Sequence, residues 1–492
     1  MTLRNRCSTL AAALGCAAAL ALSVPGAAQQ PLDRTKTPPA GKPPVLRVPA
    51  WTSSSLANGA ELIVSEKHDL PLVSFTITFL GGANQYERAD RRGLASLTAA
   101  MMSEGTRRRD GEALSNALQM LGTNVTVGVS GESGTIGFQC ITAKFSPTLE
   151  IVADMLENST LPAEALERLR GQRLVALTQA KAQPAAIAGR VYPRILYGDA
   201  HPLGQSVTEE SVKAITRDDV VAFMKTYFQP GRALVTVVGD VSAVAVKPTI
   251  EKAFAAWPAG GQKPEFTYPP LPERRATSIY LVDKPGAAQS TFAIGNPGPP
   301  RSTPDYYALQ VMNTILGGMF QSRLNANIRE EKGYSYGVSS AFAYGKGPGP
   351  FRTGGDIVSA KSDAALVEFM KELRGIVAGR PVSDDELKTA KDSLIQRLPG
   401  QFGSVGGVNG AITAIWTQGL PKDYYSQYET KIASVTTADV VRVATQYIDL
   451  DHLAIVIVGD RATIEAPLKA TGIAPIKFAD IEGKMIGTGE TR

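Results

Sequence analysis

At 492 residues the chain exceeds what one hydrophobic core holds, and roughly 150 residues per domain points to about two to four domains. An apolar share of 43% belongs to a globular protein with large cores and excludes a disordered or fibrous chain. A formal charge of +5 over this length excludes an electrostatic nucleic-acid binder, and three cysteines are too few for a disulfide scaffold.

Residues 1–28 read as a secretory signal. Arg4 and Arg6 begin it, Leu10 to Val24 is rich in Ala and Leu, and Gly26-Ala27-Ala28 offers small residues for cleavage. A periplasmic or secreted protein, with no membrane anchor after cleavage, is the expectation. Cys7 and Cys16 lie in the signal, so Cys140 alone stays in the mature chain, without an internal disulfide or thiolate metal cluster. Residues 29–55, containing TKTPPAGKPP, read as a flexible Pro/Lys-rich leader.

A first domain is expected over 56–260. It opens with the strand Glu61 to Val64, and Val73 to Phe79 alternates four apolar residues with three hydroxyls, the period of a half-buried strand. The turn Gly81-Gly82-Ala83-Asn84 and the charged run Glu87 to Arg92 lead into GLASLTAAMMSEGT, Gly93 to Thr106, with helical spacing of apolar residues. Helices follow at Gly111 to Leu121 and Pro147 to Glu157, and Val125 to Ile141 reads as strand. A long helix opens at Leu161, then come Tyr197-Gly-Asp-Ala-His201-Pro202, the helix Thr216 to Tyr227 and the strand Ala233 to Val238. His68, His201 and His452 are far apart and none has a second histidine at helical spacing, so His201 is expected in a loop or capping role.

Residues 261–275 lack periodicity, concentrate Pro and read as a linker to a second domain over 276–470. There the pattern restarts. Ser278 to Val282 and Ser290 to Ile294 replay the first strands, Tyr307 to Leu316 replays the Gly93 helix, and YIDLDHLAIVIVGD, Tyr447 to Asp460, repeats YFQPGRALVTVVGD, Tyr227 to Asp240. A repeat at about 220 residues argues for two copies of one α+β domain. Between these landmarks lie LGGMFQSRLNANIREEKGYSYGV, Leu316 to Val338, and the Gly-rich Ala343 to Gly355, read as a turn between strands; residues 471–492 are an aperiodic tail.

These segments, in this order, resemble the insulinase/pitrilysin-type zinc peptidases, including the processing peptidases. The resemblance covers Leu56 to Leu468. It implies two homologous α+β domains, each a mostly antiparallel sheet backed by helices, together forming a half-clamshell. In the family's frame G-L-A-H-x-x-E-H, Ser96, Ala99 and Ala100 stand where His, Glu and His would be. Leu169 to Ala176 resembles the helix bearing the third ligand, a glutamate, and there Ala176 replaces it. Imidazoles at i and i+4 bind Zn²⁺ together and the carboxylate between them takes a proton from the metal-bound water; a hydroxyl and methyl groups do neither. A buried amphipathic helix that never held metal is the alternative for Gly93 to Met102. The segment at Leu316 keeps the family's Arg and Tyr seven residues apart, Arg329 and Tyr336, which by resemblance hold peptide backbone and steady a developing oxyanion. The alternative there is an ion pair of Arg329 with Glu330 or Glu331 and a packed Tyr336.

The resemblance therefore implies a non-catalytic subunit: no cofactor in this chain, zinc in a homologous H-x-x-E-H-bearing partner, and peptide hydrolysis by the hetero-oligomer. A metal-free peptide-binding or scaffold protein with no proteolytic partner is the second reading. A third, activity through another metal or through a nucleophile such as Ser96, requires a histidine brought in from far along the chain.

Overall fold

The nine residues Leu72–Leu80 form β3, whose apolar side chains Val73, Phe75, Ile77 and Phe79 lie fully in the core, as alternation predicts. The computed structural model describes residues 45–273 and 275–487. The expected signal, 1–28, and the leader as far as residue 44 lie outside the described residues.

Two sheets organise the rest. The first contains β1 (Thr52–Ser55), β2 (Glu61–Glu66), β3, β4 (Val125–Val129), β5 (Ser133–Ile141) and β6 (Ala233–Gly239), in the order β1-β2-β6-β3-β5-β4. Only β2 and β6 run parallel. The second contains β7 (Ser278–Asp283), β8 (Gln289–Pro297), β9 (Ser335–Phe342), β10 (Pro350–Val358), β11 (Ala454–Gly459), β12 (Ile476–Ala479) and β13 (Met485–Ile486), in the order β13-β12-β7-β11-β8-β10-β9. The repeated strands β6 and β11 occupy equivalent interior places, each antiparallel to the long strand of its sheet and parallel to a shorter one. The mixed α and β architecture in two homologous halves agrees with the sequence.

Three boundaries shift. β1 lies inside the stretch read as leader, and β12 and β13 lie inside the stretch read as tail. β1 is TSSS with every residue exposed, and β13 has two residues, so backbone pairing to a neighbour holds them without an apolar pattern to betray them. Residues 261–272 carry no regular structure but are tied to the first half, since Gln85 Nε2 donates to Tyr268 Oη at 3.0 Å and the Tyr268 hydroxyl donates to Glu132. The Gly-rich stretch splits into a turn and the start of β10. Glu132 of the first half anchors that turn by accepting from Lys346 N at 2.8 Å.

β6 and β11 are buried at every residue, which requires cover on both faces. One face of each sheet packs on helices of its own half. The other face is covered from the opposite half. The Pro184–Tyr197 helix packs through Ile187, Val191, Tyr192 and Leu196 on Tyr280, Val282, Val456 and Val458 of the second sheet. The Val405–Gln418 helix lies on β3 and β6 of the first. Both helices have 14 residues and hold equivalent places in the repeat, so the halves exchange one helix each. The hydroxyl face of β3, expected to meet water, is thereby closed: Ser74 and Thr78 are buried, and Asn409 Nδ2 donates to Ser74 O at 3.3 Å and to Thr236 O at 3.4 Å.

Candidate functional site

The Leu94–Met101 helix begins at Gly93, whose φ of 102° is left-handed and suits glycine. Its free N-terminal amides meet a buried carboxylate. Glu87 accepts from Ala95 N at 2.6 Å and from Gly93 N at 3.2 Å, and sits 3.5 Å from the Arg92 guanidinium. Arg92 in turn donates to Gln205 Oε1 and Ala83 O, both at 2.9 Å, and to Pro202 O at 3.2 Å. A negative charge at a helix N-terminus is favourable, and the paired, hydrogen-bonded guanidinium offsets the cost of burying it. Leu97, Thr98, Ala99 and Met101 then anchor the helix in the first core.

Ser96 is exposed, Ala100 is partly buried, and Ala99 is turned into the core with 2% of its surface exposed. The Ser96 hydroxyl donates to Gly93 O at 3.0 Å, one turn back in its own helix. Ala176 is exposed on the Ala163–Ala180 helix, which packs against the first. The frame is intact and its donors are gone: one hydroxyl and three methyl groups do not fit a zinc ion, which takes imidazole, thiolate or carboxylate. Among the described residues no group of three or more His, Cys, Asp and Glu side chains is placed to hold a metal.

The three histidines are engaged elsewhere. His68 lies 2.8 Å from Asp240 Oδ1 and 3.3 Å from Glu66 Oε2, and hydrogen bonds to these carboxylates raise its pKa. His452 lies 2.9 Å from Asp449. His201 is buried between the rings of Tyr197 and Tyr268 and caps the following turn, its Nδ1 accepting from Leu203 N at 3.1 Å. That is a capping role. Burial lowers its pKa and keeps the ring neutral. No hydrogen bond of the described residues joins a histidine to Ser96.

In the second half, Arg329 and Tyr336 come together. Asn325–Glu331 is a wide π-helical turn in which Lys332 N donates five residues back to Asn327 O at 3.0 Å, a geometry that recurs at functional sites. Gly333, with φ 64°, closes it, and Tyr334 N donates to Ile328 O at 2.9 Å. The chain then enters the edge strand β9. Its pairing with β10 slips between Gly355 and Ile357, and Gly355 admits no side chain because a Cβ there would lie 2.6 Å from Gly337 O. Such bulges re-aim side chains, and Tyr336 stands 92% exposed. Arg329 and Tyr336 line one open cavity of about 410 Å³ together with Glu330, Gly333, Ser335 and Val358.

Arg329 does not stand free in that cavity. Its Nη1 lies 3.0 Å from Glu330 Oε1, the ion pair anticipated as an alternative, and its Cζ lies 4.2 Å from the centre of the Phe320 ring. Tyr336, by contrast, does not pack. Sequence reasoning missed Phe320, because an aromatic nine residues before an arginine has no helical relation to it; it lies in the irregular stretch between the π-helical turns Thr314–Gly318 and Asn325–Glu331. It also missed the Glu87–Arg92 pair, whose sequence signal was a carboxylate six residues ahead of the helix-opening glycine.

Residues 63–207 match the family model described as insulinase (peptidase family M16), and residues 214–394 match the model described as peptidase M16 inactive domain. An uncharacterized zinc protease, YmxG, of Bacillus subtilis is 23% identical over 344 residues, which are 68% of this chain and 81% of that protein. A non-peptidase homolog, also YmxG, of Helicobacter pylori is 21% identical over 403 residues, covering 81% of this chain and 92% of the relative. A crystal structure of a peptidase M16 inactive domain from Pseudomonas fluorescens superposes with a TM-score of 0.76 at 26% identity, covering 83% of this chain and 98% of that one. Both halves of the chain and the replaced metal positions thus fall within one frame. The chain belongs to the insulinase family of peptidases, M16, as a member without the H-x-x-E-H zinc motif.

Proposed function

We propose that this chain is the non-catalytic subunit of an exported insulinase-type zinc peptidase. It pairs with a homologue that bears H-x-x-E-H and holds the zinc, and it contributes Arg329 and Tyr336 to binding the peptide that the partner cleaves. One observation carries the reading: Arg329 and Tyr336 line a single open cavity, whereas all four metal positions hold Ser or Ala on intact helices. A guanidinium and a phenol lining one cavity offer several donors to a peptide carbonyl, and that supports retention for substrate contact. Export rests on residues 1–28; among the described residues no helix is long and apolar enough to cross a membrane.

The alternative is a metal-free peptide-binding or scaffold protein without a proteolytic partner. The Arg329–Glu330 ion pair and the Phe320 stack favour it, since they give the guanidinium partners without any peptide.

Affinity capture of the mature chain from its host's envelope, with mass spectrometry and a peptide-cleavage assay of the eluate, tests the proposal. A stoichiometric H-x-x-E-H homologue and chelator-sensitive cleavage are expected. In that complex Arg329→Ala should slow cleavage by about 100- to 1,000-fold, the order found when one transition-state donor is removed. Capture of the chain alone, with no cleavage, would select the scaffold reading.

A further inference from the structure

A cavity of about 380 Å³ in the first half is lined by the end of the Phe145–Asn158 helix, one face of the Arg217–Tyr227 helix and Ala256 to Pro258. It shares no residue with the cavity of Arg329 and Tyr336. Arg107, Arg217 and Lys225 line it, and among the described residues none of the three is ion-paired. Glu157 is its only lining carboxylate. Three positive charges thus face one negative, which favours an entering anion. The neighbouring cavity that shares Glu157 sets Glu150 and Asp154 beside it against Arg108 and Lys252, so the positive excess belongs to the first alone.

The apolar wall is set in advance. Leu161, Phe228 and Trp257 are buried, and Trp257 Nε1 donates to Phe228 O at 3.0 Å. Leu161 holds a φ of 48°, the only left-handed backbone outside glycine among the described residues. Arg217 keeps it there, its Nε donating to Leu161 O at 2.8 Å and its Nη2 to Thr160 O at 3.0 Å. Such strain persists only where the surroundings enforce it, and it gathers at binding sites. One lining group also lacks a partner: Glu157 Oε1 is shielded from water and accepts no hydrogen bond. An unmet buried acceptor costs free energy that a ligand N–H recovers.

A carboxylate for the cations, an N–H for the Glu157 oxygen and an apolar side chain for the wall occur together in the last residue of a polypeptide. We infer that this cavity docks polypeptide C-termini that end in an apolar residue. Arg107, Arg217 and Lys225 hold the α-carboxylate, Glu157 accepts the terminal amide N–H, and Leu161, Phe228 and Trp257 receive the side chain. The site tethers a protein by its end, and it stands whether or not Arg329 and Tyr336 contact peptide.

The test is fluorescence anisotropy of the full mature chain with short peptides labelled with fluorescein at the N-terminus: a free acid ending in Phe, its C-terminal amide, and a free acid ending in Ala. The Phe acid should bind about 10-fold more tightly than its amide, the effect of one charge-assisted contact, and about 10-fold more tightly than the Ala acid, the effect of one buried ring. Arg107 and Lys225 are exposed. Arg107→Gln and Lys225→Gln should therefore leave circular dichroism unchanged while each cuts the acid-over-amide preference by about 3-fold. Arg329→Ala should leave that preference unaltered; its loss there would place the terminus in the second-half cavity and overturn the inference. Equal binding of acid and amide, or an acid preference that neither glutamine variant reduces, overturns it as well. So does displacement of the Phe acid by dodecanoate at concentrations below the peptide's own Kd, which would make the cavity a receptor for anionic amphiphiles.

Discussion

Arg323, six residues before Arg329, has 2% of its side chain exposed against 31% for Arg329. Its Nε and Nη2 donate to the two oxygens of Glu386 at 2.7 and 2.8 Å, and it donates to Arg380 O at 3.1 Å and Pro381 O at 3.0 Å. Glu386 also caps the helix Asp384–Gln396 by accepting from Ser383 N at 3.0 Å. This pair clamps the segment that presents Arg329 to the helix beyond it, so one arginine of the motif holds the structure and the other meets the cavity. Burial pushes the Glu386 pKa up, but the bonds from Arg323 and Ser383 and the charges of Arg323 and Arg380 outweigh it and hold the value at about 2. A carboxylate depressed in the folded state stabilises fully above its unfolded value of 4.5, and that stabilisation is lost as pH falls toward 2. Arg323→Ala should therefore cost about 3–5 kcal/mol in urea unfolding at pH 7. It should also flatten the fall in stability between pH 4.5 and 2; an unchanged acid profile would dissociate Glu386 from Arg323.

The exchanged Val405–Gln418 helix carries three glycines, Gly406, Gly407 and Gly410, a composition that reads weakly as helix yet forms one under tertiary packing. It meets the first sheet through Asn409, whose side-chain amide donates to carbonyl oxygens of β3 and β6. The helix also seals the hydroxyl face beneath it. Thr78 Oγ1 and Thr236 Oγ1 are buried with no hydrogen-bond partner. An unmet buried hydroxyl costs free energy that a methyl group of the same shape does not. Thr236→Val is expected to stabilise the protein by about 1 kcal/mol, read from the midpoint of chemical unfolding at constant slope. Destabilisation would mean that a water molecule reaches the hydroxyl under the helix.

Because each half lends the other a helix, neither sheet is complete alone. The second sheet would expose Tyr280, Val282, Val456 and Val458 without the Pro184–Tyr197 helix, and the first would expose the face of β3 and β6 without the Val405–Gln418 helix. Tyr192 and Tyr197 add side-chain bonds across the same junction, to Phe351 O and, at 2.9 Å, to Pro348 O. The whole chain from 45 to 487 should unfold in one calorimetric transition with equal calorimetric and van't Hoff enthalpies. Separately expressed segments 45–260 and 276–487 should fail to fold alone and regain native circular dichroism only when mixed. Two independent transitions would show that the exchange contributes little.

The sequence by itself determined the strands and helices with strong periodicity, the internal repeat, the mixed α and β class in two homologous halves, and the loss of the metal donors at Ser96, Ala99, Ala100 and Ala176. Those features are local, written in side-chain period or residue type, and the four replacements are chemical facts before any folding. Only the tertiary structure decided which half covers which sheet, because the continuous apolar runs of β6 and β11 ask for cover on both faces without naming its source. It also decided that β1, β12 and β13 are strands, since backbone pairing at or beside a sheet edge holds short segments without a long apolar pattern. The surroundings of Arg329 were likewise illegible: spacing joins it to Tyr336, but its contact with Phe320 depends on the backbone path between them, which residue types do not encode.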